Sequence, residues 1–424
     1  VILDHPGAIS FAPGRPTERY FDVEKSLEKV APFVAHRAAA LRWSEPYTWN
    51  DLGQYNRTNG IVNDLIARQI ALDEGIRADA ESIIVTAGCQ EGMVILLMGL
   101  LDPATDVLLI SDPAYIGIPG LARMMGIPMR PIPTGEHGLD PAAVAAAIAE
   151  VRRSGRRPRA LYDVPDFNNP LGTRLPLAAR HALLDLARDN DMLIFEDNPY
   201  GMFSYDGPAL PTLKALDEHG VVIYMGSFSK TLYPGLRVGF LVTGQKVVAP
   251  DGSRTTLAAE LSKVKSLTTV TTPPLLQAIV GGILLETGGS LAPLMAEKLP
   301  FYRANRDRMV ECLERELGDL APAVRWNRPE GGFFLTVDLP FEFGEEHLRA
   351  CAREHDVIIC PMSFFALSPG RERQVRLSIS YVTPELIEEG IGRFARFVRA
   401  HAENSESSES AGAAAALATA DGLS

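Results

Sequence analysis

Cysteine is scarce in this chain: the four present in 424 residues, Cys89, Cys312, Cys351 and Cys360, are widely spaced and form no CxxC pair. That pattern suggests neither a zinc site nor a disulfide framework, and it fits a reducing, cytoplasmic compartment. Basic residues are in deficit, with 41 against 53 acidic ones and a formal charge of -12. A polyanion-binding surface selects for clustered Lys and Arg, so nucleic acid is not an expected partner. The densest basic run, VRRSGRRPRA from Val151, lies between a helical and a strand-like segment and reads as a solvated connector. No run of about 18 apolar residues occurs, and no charged-then-apolar leader opens the chain at Val1, so no membrane association is expected. The eight histidines form no HxxxH pair or triad pattern, which leaves metal catalysis without support.

What is present is the balance of a globular protein, 46% hydrophobic and 22% charged, in a chain long enough for two closely packed domains. From about Ser82 onward, strand-like runs alternate with helical patterns: SIIVTAG then QEGMVILLMGLL, DVLLISDPAY then GIPGLARMMG, ALYDVPDF then LAARHALLDLARDN. The alternation predicts an α/β domain with a mainly parallel sheet, flanked by helices and spanning 51–290. After a loop near 266–274, one long helical region is expected through about Arg315. The segments GGFFLTVDLP, VIICPMSFFA and QVRLSISYV and a final helix then make a smaller α+β domain over 291–402. The Ser-, Glu- and Ala-rich segment 403–424 has little to bury and is expected to be a disordered tail.

The strand ends carry the chemistry, as ligands in open α/β sheets sit beyond strand carboxyl ends. In MGSFSKTLYPGLRVGF a single lysine, Lys230, stands among apolar residues, and a lysine amine so placed can form a Schiff base with a carbonyl. Ser227, Ser229 and Arg237 beside it offer hydroxyls and a guanidinium to a phosphate. Gly88, Cys89 and Gln90 open a helix, where free amides and the dipole favour the same group. An aldehyde bearing a phosphate is implied, and pyridoxal phosphate would use the remaining strand ends. Asp197 could keep its pyridine nitrogen protonated, Asn169 and Tyr200 could hydrogen-bond its phenolic oxygen, and Tyr115 could stack on its face.

SFSKTLYPGLRVGF, PDFNNPLGT and EDNPYG, in this order and spacing, resemble the class I/II aminotransferases, which are fold-type-I pyridoxal-phosphate enzymes. The resemblance covers nearly the whole chain apart from the tail. It implies that Lys230 is the Schiff-base lysine, Asp197 the pyridine-nitrogen partner, and Asn169 and Tyr200 the phenolic-oxygen ligands. Ser227, Ser229, Arg237 and the Gly88 to Gln90 amides would hold the phosphate. QYNRTNG is similar to the family's Tyr-Gly-x-x-x-Gly stretch, with Asn56 in place of a glycine, and implies that Tyr55 reaches the phosphate of a neighbouring subunit in a homodimer with shared active sites. VRLSIS resembles the segment whose arginine grips the substrate α-carboxylate, a role that falls to Arg376. ISFAPGRP is similar to the family's N-terminal segment, so 1–50 is expected to contribute to the small domain and Gly14 and Arg15 to lie near the substrate entrance.

Singly, a Lys or Asp at a strand end is most often structural, Tyr115 could be plain core, and Arg376 could be a surface ion pair. Joint occurrence of four complementary strand-end motifs favours the cofactor site. The expected reaction moves the amino group of an α-amino acid to a 2-oxo acid by a ping-pong mechanism. Another pyridoxal-phosphate reaction of specialised metabolism, by an oxidase, cyclase or β/γ-replacement enzyme, is the alternative. The effector-sensing domain of a transcription regulator is a third reading and needs a helix-turn-helix module ahead of the domain. Within the family the motifs look closest to the branch of aminoadipate- and aromatic-type enzymes that includes the dihydroxyphenylglycine transaminases. An aromatic or other uncharged substrate side chain is favoured, because no second strong cation besides Arg15 is identified for a distal carboxylate.

Overall fold

The computed structural model describes residues 1, 3–248 and 251–420, with side chains through 402. Eight strands form the principal sheet: β1 (Ile83–Thr86), β2 (Asp106–Asp112), β3 (Met129–Gly135), β4 (Gly138–Leu139), β5 (Arg157–Asp163), β6 (Leu193–Asp197), β7 (Val222–Ser227) and β8 (Gly239–Val242), in the order β1-β8-β7-β6-β5-β2-β3-β4. Strands β7, β6, β5, β2 and β3 are mutually parallel, and β8 runs antiparallel to both of its neighbours.

The strands are apolar along their length because both faces are covered. With a side-chain period of two, Leu108 and Ile110 join one cluster with Met93, Leu96 and Leu261, from helices α1 (Cys89–Leu100) and α4 (Leu257–Thr268). Leu109 between them joins another with Val144, Ile148, Leu183 and Leu184, from α2 (Pro141–Arg153) and α3 (Leu177–Asp189). Phe195 against Ile194 and Ile223 against Val222 divide in the same way. The parallel strands therefore end together at one carboxyl edge, where Asp197 and Ser227 are terminal residues.

The long helical region expected after 274 is two helices, α5 (Pro274–Glu286) and α6 (Ala292–Leu317). They are divided at Gly288 and Gly289, whose φ values of 69° and 92° suit residues without a Cβ. Helix α4 also runs through Thr268, shortening the expected loop. A second, antiparallel sheet of four strands follows: β9 (Arg325–Trp326), β10 (Phe334–Asp338), β11 (Cys360–Pro361) and β12 (Gln374–Ser378), in the order β9-β10-β12-β11.

The N-terminal segment is stitched to this smaller sheet. Ile9–Ser10 pairs in parallel with Val357–Ile358, and the Ser378 amide donates to the Phe11 carbonyl at 2.7 Å. The helix Val30–Leu41 instead packs Val30, Phe33 and Val34 against Ala278, Ile279 and Ile283 of α5. The last helix, α7 (Pro384–Ala420), keeps a helical backbone through most of the segment expected to be disordered, in keeping with the helix propensity of its Ala-rich run. Side chains from 403 onward, and residues 421–424 entirely, lie outside the described residues.

Candidate active site

The chain passes from β1 through a sharp turn into α1. Gly88, with φ 79°, forms the turn, and a Cβ there would stand 2.4 Å from Arg237 Nη2. Arg237 Nη2 in turn donates to the Ala87 carbonyl at 3.2 Å. The next amides, of Cys89 and Gln90, lie in the first turn of a 12-residue helix, where N–H groups have no intrahelical acceptor and the dipole is positive. Ser227, at the end of β7, accepts from the Ser229 amide at 3.1 Å, and the Cys89 thiol donates to the Gly226 carbonyl at 3.4 Å. Gly88 to Gln90, Ser227, Ser229 and Arg237 are thus gathered at one corner whose chemistry would suit an anion.

Lys230 follows on the short helix Phe228–Thr231. Its ammonium donates to the Gly14 carbonyl at 2.7 Å and lies 6.0 Å from the Tyr200 ring centroid. Burial pushes its pKa down to about 8, and the guanidinium groups of Arg376 and Arg237 push the same way. Such a depression brings the loss of the proton within reach of mildly alkaline pH. Asp197 is 4% exposed. Tyr162 Oη donates to its Oδ2 at 2.7 Å, whereas its Oδ1 is buried without a hydrogen-bond partner. Burial raises the Asp197 pKa to about 6, and the Tyr162 hydrogen bond opposes that rise. The Cys89 thiol is pushed well above its ordinary value, chiefly by burial, so it stays a neutral, unreactive group.

Arg376 approaches from the smaller sheet, in register with Thr336 on β10 and Cys360 on β11. Its guanidinium lies between the rings of Phe334, at 4.3 Å, and Phe365, at 4.5 Å. It donates to Asn169 Oδ1 at 2.6 Å and to the Ala12 carbonyl, and its Nε is buried without a partner. Tyr200 is buried edge-on against Phe333 and Phe334, and burial raises its phenol pKa. The half-buried Tyr115 makes a long 3.5 Å hydrogen bond to Gln90 Oε1.

Tyr55, expected at a neighbouring subunit's phosphate, and Arg15, expected near the entrance, both lie at the surface. Tyr55 is 81% exposed, and the Arg15 guanidinium lies over the Tyr381 ring at 3.7 Å. Arg15 contributes its backbone instead, accepting from Ser380 Oγ at 2.7 Å. Sequence reasoning missed Tyr162, which stands opposite Phe195 in the β5–β6 register, together with the two rings that enclose Arg376. Only the order of the strands reveals Tyr162, since its own neighbours read as an ordinary apolar run.

The model of the family described as aminotransferase class I and II matches residues 50–394. The chain belongs to this family. It is 42% identical to an (S)-3,5-dihydroxyphenylglycine transaminase of Amycolatopsis orientalis, over 94% of this chain and 89% of that one. Among solved structures, a multiple substrate aminotransferase from Thermococcus profundus superposes with a TM-score of 0.82 at 28% identity, covering 95% of this chain and 94% of that one. An α-aminoadipate aminotransferase from Thermus thermophilus, complexed with N-(5'-phosphopyridoxyl)-L-leucine, gives 0.76 at 31% identity, with 94% of each chain covered.

The protein is therefore a pyridoxal-phosphate-dependent aminotransferase with the fold-type-I α/β architecture, and transamination is favoured over the oxidase, cyclase and replacement chemistries. The donor set fits the cofactor. The unpartnered, buried Asp197 Oδ1 suits a ring N–H, since buried polar atoms are ordinarily paired. The turn at Gly88 has no room for a side chain beside Arg237. Among the described residues, no helix is long and apolar enough to cross a membrane.

Proposed function

We propose that this aminotransferase takes the amino group from α-amino acids with aromatic or other uncharged side chains and delivers it to a 2-oxo acid in a ping-pong cycle, as a cytoplasmic homodimer. The observation that carries the reading is that the Lys230 amine interacts electrostatically with both Arg376, itself bonded to Asn169, and Asp197, whose Oδ1 is unpartnered. Pyridoxal phosphate, when bound through Lys230, supplies an electron-accepting ring. Arg376 forks onto the substrate α-carboxylate and so turns Cα toward Lys230. Once the substrate amino group has displaced it from the cofactor, the freed Lys230 amine, with its pKa near 8, would take the proton from Cα and return one as general base and acid. Asp197 would hold a proton on the ring nitrogen, Tyr200 and Asn169 would hydrogen-bond the phenolic oxygen, and Tyr115 would cover the ring face. The Gly88 to Gln90 amides, Ser227, Ser229 and Arg237 hold the phosphate.

Side-chain preference rests on what lies beside Arg376. Leu171, Cys360, Met362 and Phe365 pack together there with Ala12, an apolar wall suited to a ring or aliphatic group. Arg15, the cation of the entrance segment, is occupied with Tyr381. The relative named for dihydroxyphenylglycine supports an aryl substituent. Scoring a panel of donors by the cofactor's absorbance change tests this. Aryl amino acids are expected to react fastest, and a strong preference for 2-aminoadipate or glutamate overturns the assignment.

The dimer is supported by the exposure of Tyr55 and of Trp43, Tyr47 and Trp49, the rings of Trp43 and Tyr47 meeting edge to face, since clustered exposed apolar groups mark association surfaces. In the dimer Tyr55 reaches the phosphate of the other subunit. Light scattering on the eluted protein tests it, a monomeric mass being the contrary result.

A further inference from the structure

Behind the phosphate corner lies a buried ionic cluster that the reaction itself does not use. Glu91, in the first turn of α1, accepts from the Ala87 amide at 2.5 Å through Oε2. Lys265, on α4, donates to both carboxylate oxygens, at 2.9 Å and 3.0 Å. It also donates to Thr269 Oγ1 at 2.9 Å, and Thr269 donates to Glu91 Oε1. The Lys265 side chain is 0% exposed and that of Glu91 7%.

The peptide groups flanking Ala87 are thereby gripped from two sides, the N–H by Glu91 and the carbonyl by Arg237. This fixes the orientation of the turn that presents the Cys89 and Gln90 amides. The grip has an electrostatic cost. A carboxylate in the first turn of α1 repels any anion held at that helix end, and burial weakens solvent screening. Lys265 cancels that charge while leaving the hydrogen bond to Ala87 in place. The neighbouring lysine on the same helix, Lys263, is 71% exposed and pairs with Glu260, so the burial of Lys265 is particular to its position.

Building on the phosphate assignment above, we propose that Lys265 is a positioning residue for the cofactor phosphate: it neutralises Glu91 so that Glu91 can shape the phosphate turn without repelling the phosphate. Lys265 touches neither substrate nor cofactor and acts through Glu91 alone.

The test measures the dissociation constant of pyridoxal phosphate from the apoenzyme by equilibrium dialysis, with the phosphorus resonance of the bound cofactor as a spectroscopic readout. Lys265→Met leaves a buried carboxylate uncompensated and is expected to weaken binding by about tenfold to a hundredfold. Adding Glu91→Gln keeps an acceptor for the Ala87 amide and removes the charge. The double variant Glu91→Gln/Lys265→Met is expected to recover to within about threefold of the wild type and to restore the phosphorus shift, a rescue that a packing role would not give. A double variant as weak as Lys265→Met overturns the proposal, and so does a Lys265→Met enzyme that binds like the wild type. Arg237→Met serves as the control: if it leaves the affinity unchanged, the phosphate assignment itself fails, whatever Lys265 does.

Discussion

Tyr162 Oη donates to Asp197 Oδ2 at 2.7 Å while the other carboxylate oxygen is left without a partner. One oxygen is fixed by the fold, and the other is the one that the proposed function gives to the ring nitrogen. The hydrogen bond lowers the carboxyl pKa against the effect of burial. Tyr162→Phe should therefore raise it and move the acid limb of kcat/KM to higher pH, with a loss of about tenfold at neutral pH. A pH–rate profile checks this.

Asp197 also sets function against stability. Its folded pKa is raised from 3.8 to about 6, so its stabilising proton uptake is fully present below pH 3.8 and is lost as pH rises through about 6. Above that, the apoprotein carries a buried, half-paired charge costing about 3 kcal/mol. Asp197→Asn should raise the apoprotein Tm at pH 7, converge with the wild type near pH 4, and abolish transamination. Calorimetry at the two pH values, with an activity assay, decides it.

Removing the amine tests the reacting group directly. Lys230→Ala should lower the half-reaction rate by about 10²- to 10⁴-fold. Borohydride treatment of loaded wild-type enzyme should add a phosphopyridoxyl mass to the peptide holding Lys230, and none to the variant.

The fold is legible from local pattern. Apolar runs ending in an ionisable or small polar residue mark Asp197 and Ser227 as strand ends, with Lys230 on the short helix that follows Ser227. Relationships between distant segments are not legible. The Asn169–Arg376 bond needs the β10–β12 register and a loop from the other sheet. In LAAELSKVKSLT, nothing nearby distinguishes the buried Lys265 from the exposed Lys263. Arg15 reads as an entrance residue from its sequence neighbours, whereas its cation–π contact with the distant Tyr381 is not visible in them.

At Arg376 geometry matters more than charge. Arg376→Lys keeps a cation but loses the planar fork and its stacking between two rings. KM for amino acids should rise about 10- to 100-fold with cofactor content unchanged, as steady-state kinetics and the visible spectrum would report.

The turn at Gly88 has no spare volume. Gly88→Ala places a methyl 2.4 Å from Arg237 Nη2 at a φ of 79°. Displacing that guanidinium should cost about 1–3 kcal/mol in stability and weaken cofactor retention, seen by thermal melts with and without pyridoxal phosphate.

Arg376 lies on the smaller sheet and is fastened to Asn169, in the loop that follows β5 of the larger sheet, so this bond latches the two sheets together. An α-carboxylate held at Arg376, as proposed, would join an aligned frame instead of having to assemble one, the entropy of registering the two sheets being settled during folding. Amines lacking that carboxylate would find the same frame but no anchor in it, which makes the latch a filter for amino acids as a class.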